Sequence, residues 1–313
     1  MRDMTIVGKD TTVCPCVATI GSFDGVHRGH RFVMEQVVGQ ARERGLDALV
    51  VTFRNHPLQV LREGFRPQML TLAEEKVELL QEAGIDKVVL LEFTQELARM
   101  SARKFMQHIL KEQLKVEVLV MGYDNHFGHG QTSFKEYAEY GRELGIEVVA
   151  APPMPTDGGV PVSSTAVRKA LLQGEVEEAN GILGYYYFLQ GEVVEGFQNG
   201  RRLGYPTANL QVDEWKLIPE NGAYLVECTS YIVHRTYGML NIGTRPTLHN
   251  GKRRSIEVHL FDFEDDLYGQ TLRIRLIRRL RGEQEFGSLD ALRQQLEEDE
   301  AACRAWISHG IET

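Results

Sequence analysis

Gly21-Ser22-Phe23-Asp24-Gly25-Val26-His27-Arg28-Gly29-His30 follows the apolar Val17-Ala18-Thr19-Ile20 and precedes a run carrying Phe32, Val33, Val37 and Ala41. The order reads as strand, glycine-rich turn and helix, with two histidines in the turn. Such a junction holds anions, because backbone N–H groups at a helix start face the ligand, the helix dipole favours negative charge and glycine permits close approach. Two imidazoles add donors aimed at oxygens on which charge grows during a reaction. The competing reading is a structural junction with incidental histidines. Two histidines bracketing a glycine at such a place favour the phosphate site.

Working outward, β-rich apolar stretches recur at 17–20, 48–53, 88–93, 116–121 and 146–151. Helical periodicity lies between most of them, over Leu72 to Ala83, Ser101 to Leu114 and Phe134 to Leu144. Strands alternating with helices predict a parallel sheet with right-handed crossovers. Ligands of such sheets sit beyond the carboxyl ends of the strands. The Gly21–His30 turn, Thr52-Phe53-Arg54-Asn55-His56-Pro57 and Gly122-Tyr123-Asp124 all fall at that edge.

The pattern changes near residue 184. Strand-like runs at 186–195, 223–230, 236–242, 255–263 and 271–279 are punctuated by Asn199-Gly200, Asn221-Gly222 and Asn250-Gly251. These predict an antiparallel barrel or sandwich. A closing helix is expected to bury Leu289, Leu292, Leu296, Cys303, Trp306 and Ile307. Two domains, 1–183 and 184–313, suit a chain of 313 residues.

Bulk properties narrow the function classes. A net charge of −9 is a poor match to a nucleic-acid partner. No run of eighteen apolar residues predicts a membrane span, and the N-terminus lacks a signal-peptide core. Cys14-Pro15-Cys16 has no second pair to make a zinc site, so Cys14, Cys16, Cys228 and Cys303 are expected to be thiols in a reducing cytoplasm. Oligomeric state is expected to be monomer or weak homo-oligomer.

Two further segments carry chemistry. Val162-Ser163-Ser164-Thr165-Ala166-Val167-Arg168 starts a helix with hydroxyls and places a cation one turn in, a suitable second wall for phosphate. In the second half, Gly200-Arg201-Arg202-Leu203-Gly204-Tyr205-Pro206-Thr207-Ala208-Asn209 offers backbone N–H groups for phosphate and the Thr207 and Asn209 oxygens as hard ligands for Mg²⁺. The structural alternatives are an ordinary helix cap and an ordinary loop between strands.

There is no Walker A sequence and no Gly-x-Gly-x-x-Gly run. His27-Arg28-Gly29-His30 resembles the His-x-Gly-His signature of the nucleotidylyltransferase superfamily, and Ser164-Thr165 with Arg168 resembles its second signature. The resemblance implies attack by an acceptor phosphate on the α-phosphorus of ATP. Phe23-Asp24-Gly25-Val26-His27, Asn55-His56-Pro57, Gly122-Tyr123-Asp124 with Phe127-Gly128, and Ser163-Ser164-Thr165 together resemble the adenylylating half of the bacterial bifunctional riboflavin kinase/FAD synthetases. Pro161-Val162 stands where that family often has a basic or polar residue.

Asn241-Ile242-Gly243-Thr244-Arg245-Pro246-Thr247, Ile256-Glu257-Val258-His259-Leu260, Asp266-Leu267-Tyr268-Gly269 and Arg279-Leu280-Arg281 with Glu285-Phe286 resemble riboflavin kinase over about residues 184–308. The whole resemblance implies a Rossmann-like nucleotidylyltransferase domain (α/β, parallel sheet) and an antiparallel β-barrel kinase domain with a terminal helix. It implies ATP-phosphate contacts from Gly21, Phe23, His27, His30, Ser164, Thr165, Arg168, Gly200, Thr207 and Asn209. Asp24, Asn55 and Asp124 would line the nucleotide or flavin pocket, Thr207 and Asn209 would hold Mg²⁺, and His27, His30, Arg168 and Glu257 would carry the chemistry. The implied small molecules are riboflavin, FMN, FAD and ATP. A different nucleotidylyltransferase with an appended barrel, and a flavin-sensing module without turnover, are the alternatives.

Overall fold

A computed structural model describes residues 4–8, 10–62, 64, 66–122, 127–130, 132–155, 161–195, 203–246 and 252–310. The chain divides into two compact units, Met1–Ser164 and Thr165–Thr313. Among the described residues no helix is long and apolar enough to cross a membrane.

The first unit is built on a six-stranded sheet. Its strands are β1 (Met4–Gly8), β2 (Cys16–Ile20), β3 (Asp47–Phe53), β4 (Lys87–Leu91), β5 (Val116–Met121) and β6 (Glu147–Ala150), in the spatial order β1-β4-β3-β2-β5-β6. Every neighbouring pair is parallel except β1 with β4. All five strands expected from sequence are present; the antiparallel edge strand β1 is an addition. Each residue of β2 and β4 is buried, as befits strands covered on both faces.

Helices α1 (Arg28–Arg44), α2 (Pro57–Leu61), α3 (Ala73–Glu82), α4 (Gln95–Arg99), α5 (Ala102–Phe105) and α6 (Phe134–Leu144) make the crossovers, with a π-helical stretch at Met106–Gln113. Capping explains where several of them begin. Ser133 and Glu136 form a reciprocal capping box at α6, and Ser101 caps α5. Leu110, Leu114, Leu119, Met106 and Tyr137 form a core with Ala18, Ile20 and Val51 of the central strands. Burying each large apolar side chain contributes about 1.5–3 kcal/mol.

Chain order reverses between β2 and β5: the path runs β2 to β3 to β4 on one side, then returns to β5 and β6 on the other. A crevice opens outside the carboxyl ends of the strands at such a reversal. The turn after β2 therefore lies where ligands of this architecture bind.

The second unit begins with α7 (Ser164–Gln173, entered from the first unit at Ser164) and α8 (Val176–Leu183). Packing groups α8 with the barrel that follows: Asn180 Nδ2 donates to Leu276 O at 2.9 Å, and Asn180 Oδ1 accepts from Tyr187 N at 2.7 Å. The barrel comprises β7 (Phe188–Val194), β8 (Ala208–Val212), β9 (Gly222–Thr229), β10 (Thr236–Pro246), β11 (Lys252–Leu260) and β12 (Thr271–Gly282). It closes in the order β10-β11-β8-β7-β12-β9, every pair antiparallel. Of the expected barrel or sandwich, the structure is the barrel. Pro206-Thr207-Ala208-Asn209 runs into β8, whose Ala208 and Asn209 pair with Val258 and Glu257.

Helix α9 (Leu289–Ser308) lies against the outside of the barrel, where Cys303, Leu296 and Ile307 meet Leu225, Met239, Phe261 and Ile277. The expected buried face needs two corrections: Leu289 is 68% and Trp306 43% exposed. Leu289 starts the helix, and Trp306 serves instead as a platform for the Arg278 guanidinium, 4.1 Å from the ring. The helix is further locked by Arg281, whose guanidinium donates twice to the buried Asp299 carboxylate at 2.8 and 3.1 Å.

Candidate active sites

The turn after β2 is strained and braced. Phe23 (φ +45°) and Val26 (φ +36°) occupy left-handed conformations without being glycine, and Gly25 lies at φ +82°. For a β-branched residue such as Val26 this costs on the order of 1–3 kcal/mol and persists only where the surroundings fix it. The brace is Asp24, whose carboxylate accepts from Thr71 N at 2.9 Å, Thr71 Oγ1 at 3.2 Å and Leu70 N at 3.2 Å. Thr71 Oγ1 in turn accepts from Gly25 N at 3.0 Å. Asp24 is thus buried and committed to holding the turn.

His27 caps α1, its Nδ1 accepting from His30 N at 3.3 Å. The two imidazoles stack at 3.6 Å between centroids, and Phe23 meets His30 edge-on at 5.2 Å. Burial, reinforced by His27 and Lys76, pushes the His30 pKa well below its ordinary value. His30 Nδ1 is buried and has no hydrogen-bond partner among the described residues. A buried orphan nitrogen at a helix start is a place for a ligand atom.

The glycines of this motif have steric causes. A Cβ on Gly21 would lie 2.8 Å from the Phe23 ring, and one on Gly29 would lie 3.2 Å from the His27 ring. Ser164, at the start of α7, donates from Oγ to Asp24 O at 2.8 Å and so joins the same turn. Thr165 is exposed and Arg168, one helical turn on, is half-buried.

The other expected residues of this unit divide. The Asn55 carboxamide makes a two-way bond with Phe93, Nδ2 donating to its O at 3.0 Å and Oδ1 accepting from its N at 2.8 Å. It ties the loop after β3 to the loop after β4. Asp124 lies outside the described residues. Sequence reasoning missed Lys76, which is 1% exposed and donates to Ser22 O, Phe53 O and Thr52 Oγ1. In Ala73-Glu74-Glu75-Lys76 it looks like one more charge on a solvated helix, and nothing local marks it.

The second site is on the barrel. Glu257 in β11 faces Asn209 of β8 on one side and Asn241 of β10 on the other, as direct cross-strand partners. Alternation puts these three on the face opposite the buried Leu210, Leu240 and Val258. Thr207 Oγ1 donates to Glu257 Oε2 at 3.4 Å. His259, two residues along the same strand, donates from Nδ1 to Pro206 O at 2.8 Å and steadies the segment that carries Thr207. Asn241, which stands in its motif without a role, pairs with Glu257 through a strand register that sequence does not show. Gly200, with Arg201 and Arg202, lies outside the described residues.

The barrel site therefore gathers a carboxylate, a hydroxyl and two carboxamides, whose oxygens are all hard donors, around β8 and β11. Thr207 also borders a cavity of about 470 Å³ whose other walls include Val193, Leu260, Asp266 and Tyr268. Such a set suits a proton acceptor beside a hydrated divalent cation. The turn of the first unit offers amides, imidazoles and a helix start, a set suited to anions.

Known proteins carry the same two parts in the same order. A family model described as FAD synthetase matches residues 9–166, and one described as riboflavin kinase matches residues 183–307. The bifunctional riboflavin kinase/FMN adenylyltransferase of Escherichia coli (strain K12) is 38% identical over 293 residues, covering 93% of each chain. That of Bacillus subtilis (strain 168) is 33% identical over 300 residues, covering 94% of this chain and 93% of its own. A crystal structure from Streptococcus pneumoniae, described as a macrolide-efflux protein, superposes with a TM-score of 0.86 at 31% identity over 95% of this chain and 96% of its own. With both family models matched in order and relatives alike over nearly their whole length, the chain belongs to the bifunctional riboflavin kinase/FMN adenylyltransferase family.

Proposed function

We propose that this chain makes FAD from riboflavin in two ATP-dependent steps, with residues 184–313 as the kinase and residues 1–183 as the adenylyltransferase. The observation that carries the reading is the separation of two chemically different sites, the His27–His30 turn in one unit and the Thr207–Glu257 pair in the other.

In the kinase step the riboflavin 5′-hydroxyl gives its proton to Glu257 as its oxygen bonds to the γ-phosphorus, and the bond to ADP breaks. A neutral hydroxyl benefits from a carboxylate acceptor, which typically contributes about 10²–10⁴-fold. The Thr207 hydroxyl and Asn209 carboxamide fit Mg²⁺, whose chemistry is to screen charge on the transferring phosphoryl group. Gly200 would add a phosphate contact.

In the adenylyl step an FMN phosphate oxygen bonds to the α-phosphorus of ATP and pyrophosphate leaves. The acceptor is already ionised, so position and charge suffice without a general base. His27 and His30 donate to the phosphates from the start of α1, with the Gly21 and Phe23 backbone beside them. Ser164, Thr165 and Arg168 supply the remaining phosphate contacts from α7. Asp24 acts by holding the turn and Asn55 by holding its loop, and Asp124 is a flavin-pocket residue. A cytoplasmic enzyme that needs no nucleic-acid or membrane partner, monomeric or weakly self-associating, suits the net charge of −9 and the cysteines, all four of which are free thiols.

Incubation with riboflavin, ATP and Mg²⁺, followed by chromatography, should show FMN rising first and FAD after it. Flavin binding without ATP-dependent turnover would sink the reading. FMN accumulating without FAD would sink its second half.

A further inference from the structure

Lys76 projects from α3 into the space beneath the phosphate turn. Its ammonium donates to Ser22 O at 2.9 Å, Phe53 O at 2.9 Å and Thr52 Oγ1 at 3.2 Å. Ser22 lies just past β2, while Thr52 and Phe53 end β3. Thr52 Oγ1 also donates to Ser22 O at 3.1 Å, so all four groups close one network. An ammonium buried this completely is costly unless its three protons are satisfied, and here each has an acceptor.

The network does two things. It holds the carboxyl ends of two adjacent strands, and so fixes where the Ser22–His27 turn starts. It also keeps a positive charge in a low-dielectric position under groups proposed to meet ATP phosphates, where screening is weak. The charge reaches the turn itself: Lys76 lowers the His30 pKa, and Asp24 of the turn favours the ammonium form of Lys76.

We propose that Lys76 is a positioning residue for FMN adenylylation, holding the turn that receives ATP and supplying the buried positive charge beneath it. The inference rests on the assignment of that turn to ATP phosphates.

The groups around the ammonium define its titration. Asp24 comes from the turn and His30 from α1, while Glu75 of α3 is turned to its own helix start, Oε2 accepting from Leu72 N at 2.8 Å. The ends of β2 and β3 contribute carbonyls and a hydroxyl. Burial brings Lys76 down to about 8, with Asp24 opposing. The ammonium is therefore present at neutral pH and lost as the pH rises through about 8.

The test uses the full chain and reads both activities. For wild type, kcat/KM for ATP in FAD formation from FMN should fall about tenfold per pH unit above the Lys76 pKa, whereas riboflavin phosphorylation should lack that limb. Lys76→Met should lower the FAD-forming kcat/KM about 10²-fold at pH 7, abolish the limb and leave riboflavin phosphorylation intact. A flat wild-type profile from pH 7 to 10 would overturn the proposal without any variant. So would a limb that survives in Lys76→Met, or FAD formation there within twofold of wild type. His30→Ala, run in parallel, separates the two inferences: if it leaves FAD formation intact, the assignment of the turn to ATP fails whatever Lys76 does.

Discussion

The imidazoles of His27 and His30 lie face to face, 3.6 Å apart at an interplanar angle of 18°. With His27 Nδ1 accepting from His30 N at 3.3 Å, the His27 proton belongs on Nε2, and a second proton would cost the helix its cap. Burial, with His27 and Lys76 adding to it, holds the His30 pKa well below its ordinary value. Neutral donors would suit the proposed transfer, which needs aim and not a strong acid.

The first prediction follows from His30. Its folded pKa is depressed, by burial first and then by His27 and Lys76. The unfolded chain therefore binds the proton at a higher pH than the folded chain does, and stability falls as the pH drops below about 6.5. Hydrogen-exchange protection of the β2 and β3 amides should weaken from pH 6.5 to 5.5 in wild type, after correction for intrinsic exchange. In His30→Gln it should not. Equal weakening in both would place the acid sensitivity elsewhere.

Reciprocal variants test the two-site assignment. Glu257→Gln should slow FMN formation by about 10²–10⁴-fold and leave FMN-to-FAD conversion unchanged. His30→Ala should do the reverse, because the buried His30 Nδ1 has no hydrogen-bond partner among the described residues and is proposed to meet a phosphate. Circular dichroism and a wild-type-like melting profile establish that each variant has folded. Loss of both activities in either folded variant would defeat the assignment.

What sequence could and could not show divides along contact range. The β2–turn–α1 unit was legible because strand, glycines, cap and helix lie within thirty residues and each obeys a local rule. The role of Asp24 was not, because its partners Leu70 and Thr71 are 46 and 47 residues away. An acid in a phosphate motif reads as a ligand, and only tertiary contact shows it bracing backbone amides. Lys76 was hidden by its own neighbours, since charged helix residues look solvated until the strands they cover are placed. In the barrel, Glu257 was marked by its motif, but the Asn209–Glu257–Asn241 row is a matter of register, which three separated strands decide together. Trp306 erred the other way: periodicity put it on the apolar face of α9, and cation–π contact with Arg278 keeps it at the surface.

Gly29 gives a prediction in which helix propensity and function part company. It lies in the first turn of α1, where alanine would favour the helix by up to about 1 kcal/mol. A Cβ there would stand 3.2 Å from His27 Cε1 and 3.3 Å from its Nδ1. His27 cannot yield without losing the stack on His30 or the cap. Gly29→Ala should therefore shift the melting temperature little, the gain in helix propensity being offset by the disturbed cap, and lower FAD formation at least about tenfold, with riboflavin phosphorylation unchanged. Wild-type FAD formation in Gly29→Ala would show that the ring has room to move.

His259 makes the matching case in the barrel. It sits two residues beyond Glu257 on the same face of β11, in T-shaped contact with Tyr205 and Phe261 at ring distances of 5.2 and 5.9 Å. Because Pro206 O can only accept, His259 Nδ1 carries a proton, and the bond fixes the backbone immediately before Thr207. Thr207 is one of two oxygens proposed for Mg²⁺, and it also bonds Glu257. Removing the imidazole frees this segment without touching Glu257, so the loss should fall on the kinase alone. His259→Ala should lower riboflavin phosphorylation by about 10²-fold at fixed Mg²⁺, the scale of a misplaced catalytic group, and raise the Mg²⁺ needed for half-maximal rate. FAD formation from supplied FMN should stay at the wild-type rate. An unchanged Mg²⁺ requirement alongside a slowed kinase would place the effect of His259 on Glu257 and not on the Thr207 segment.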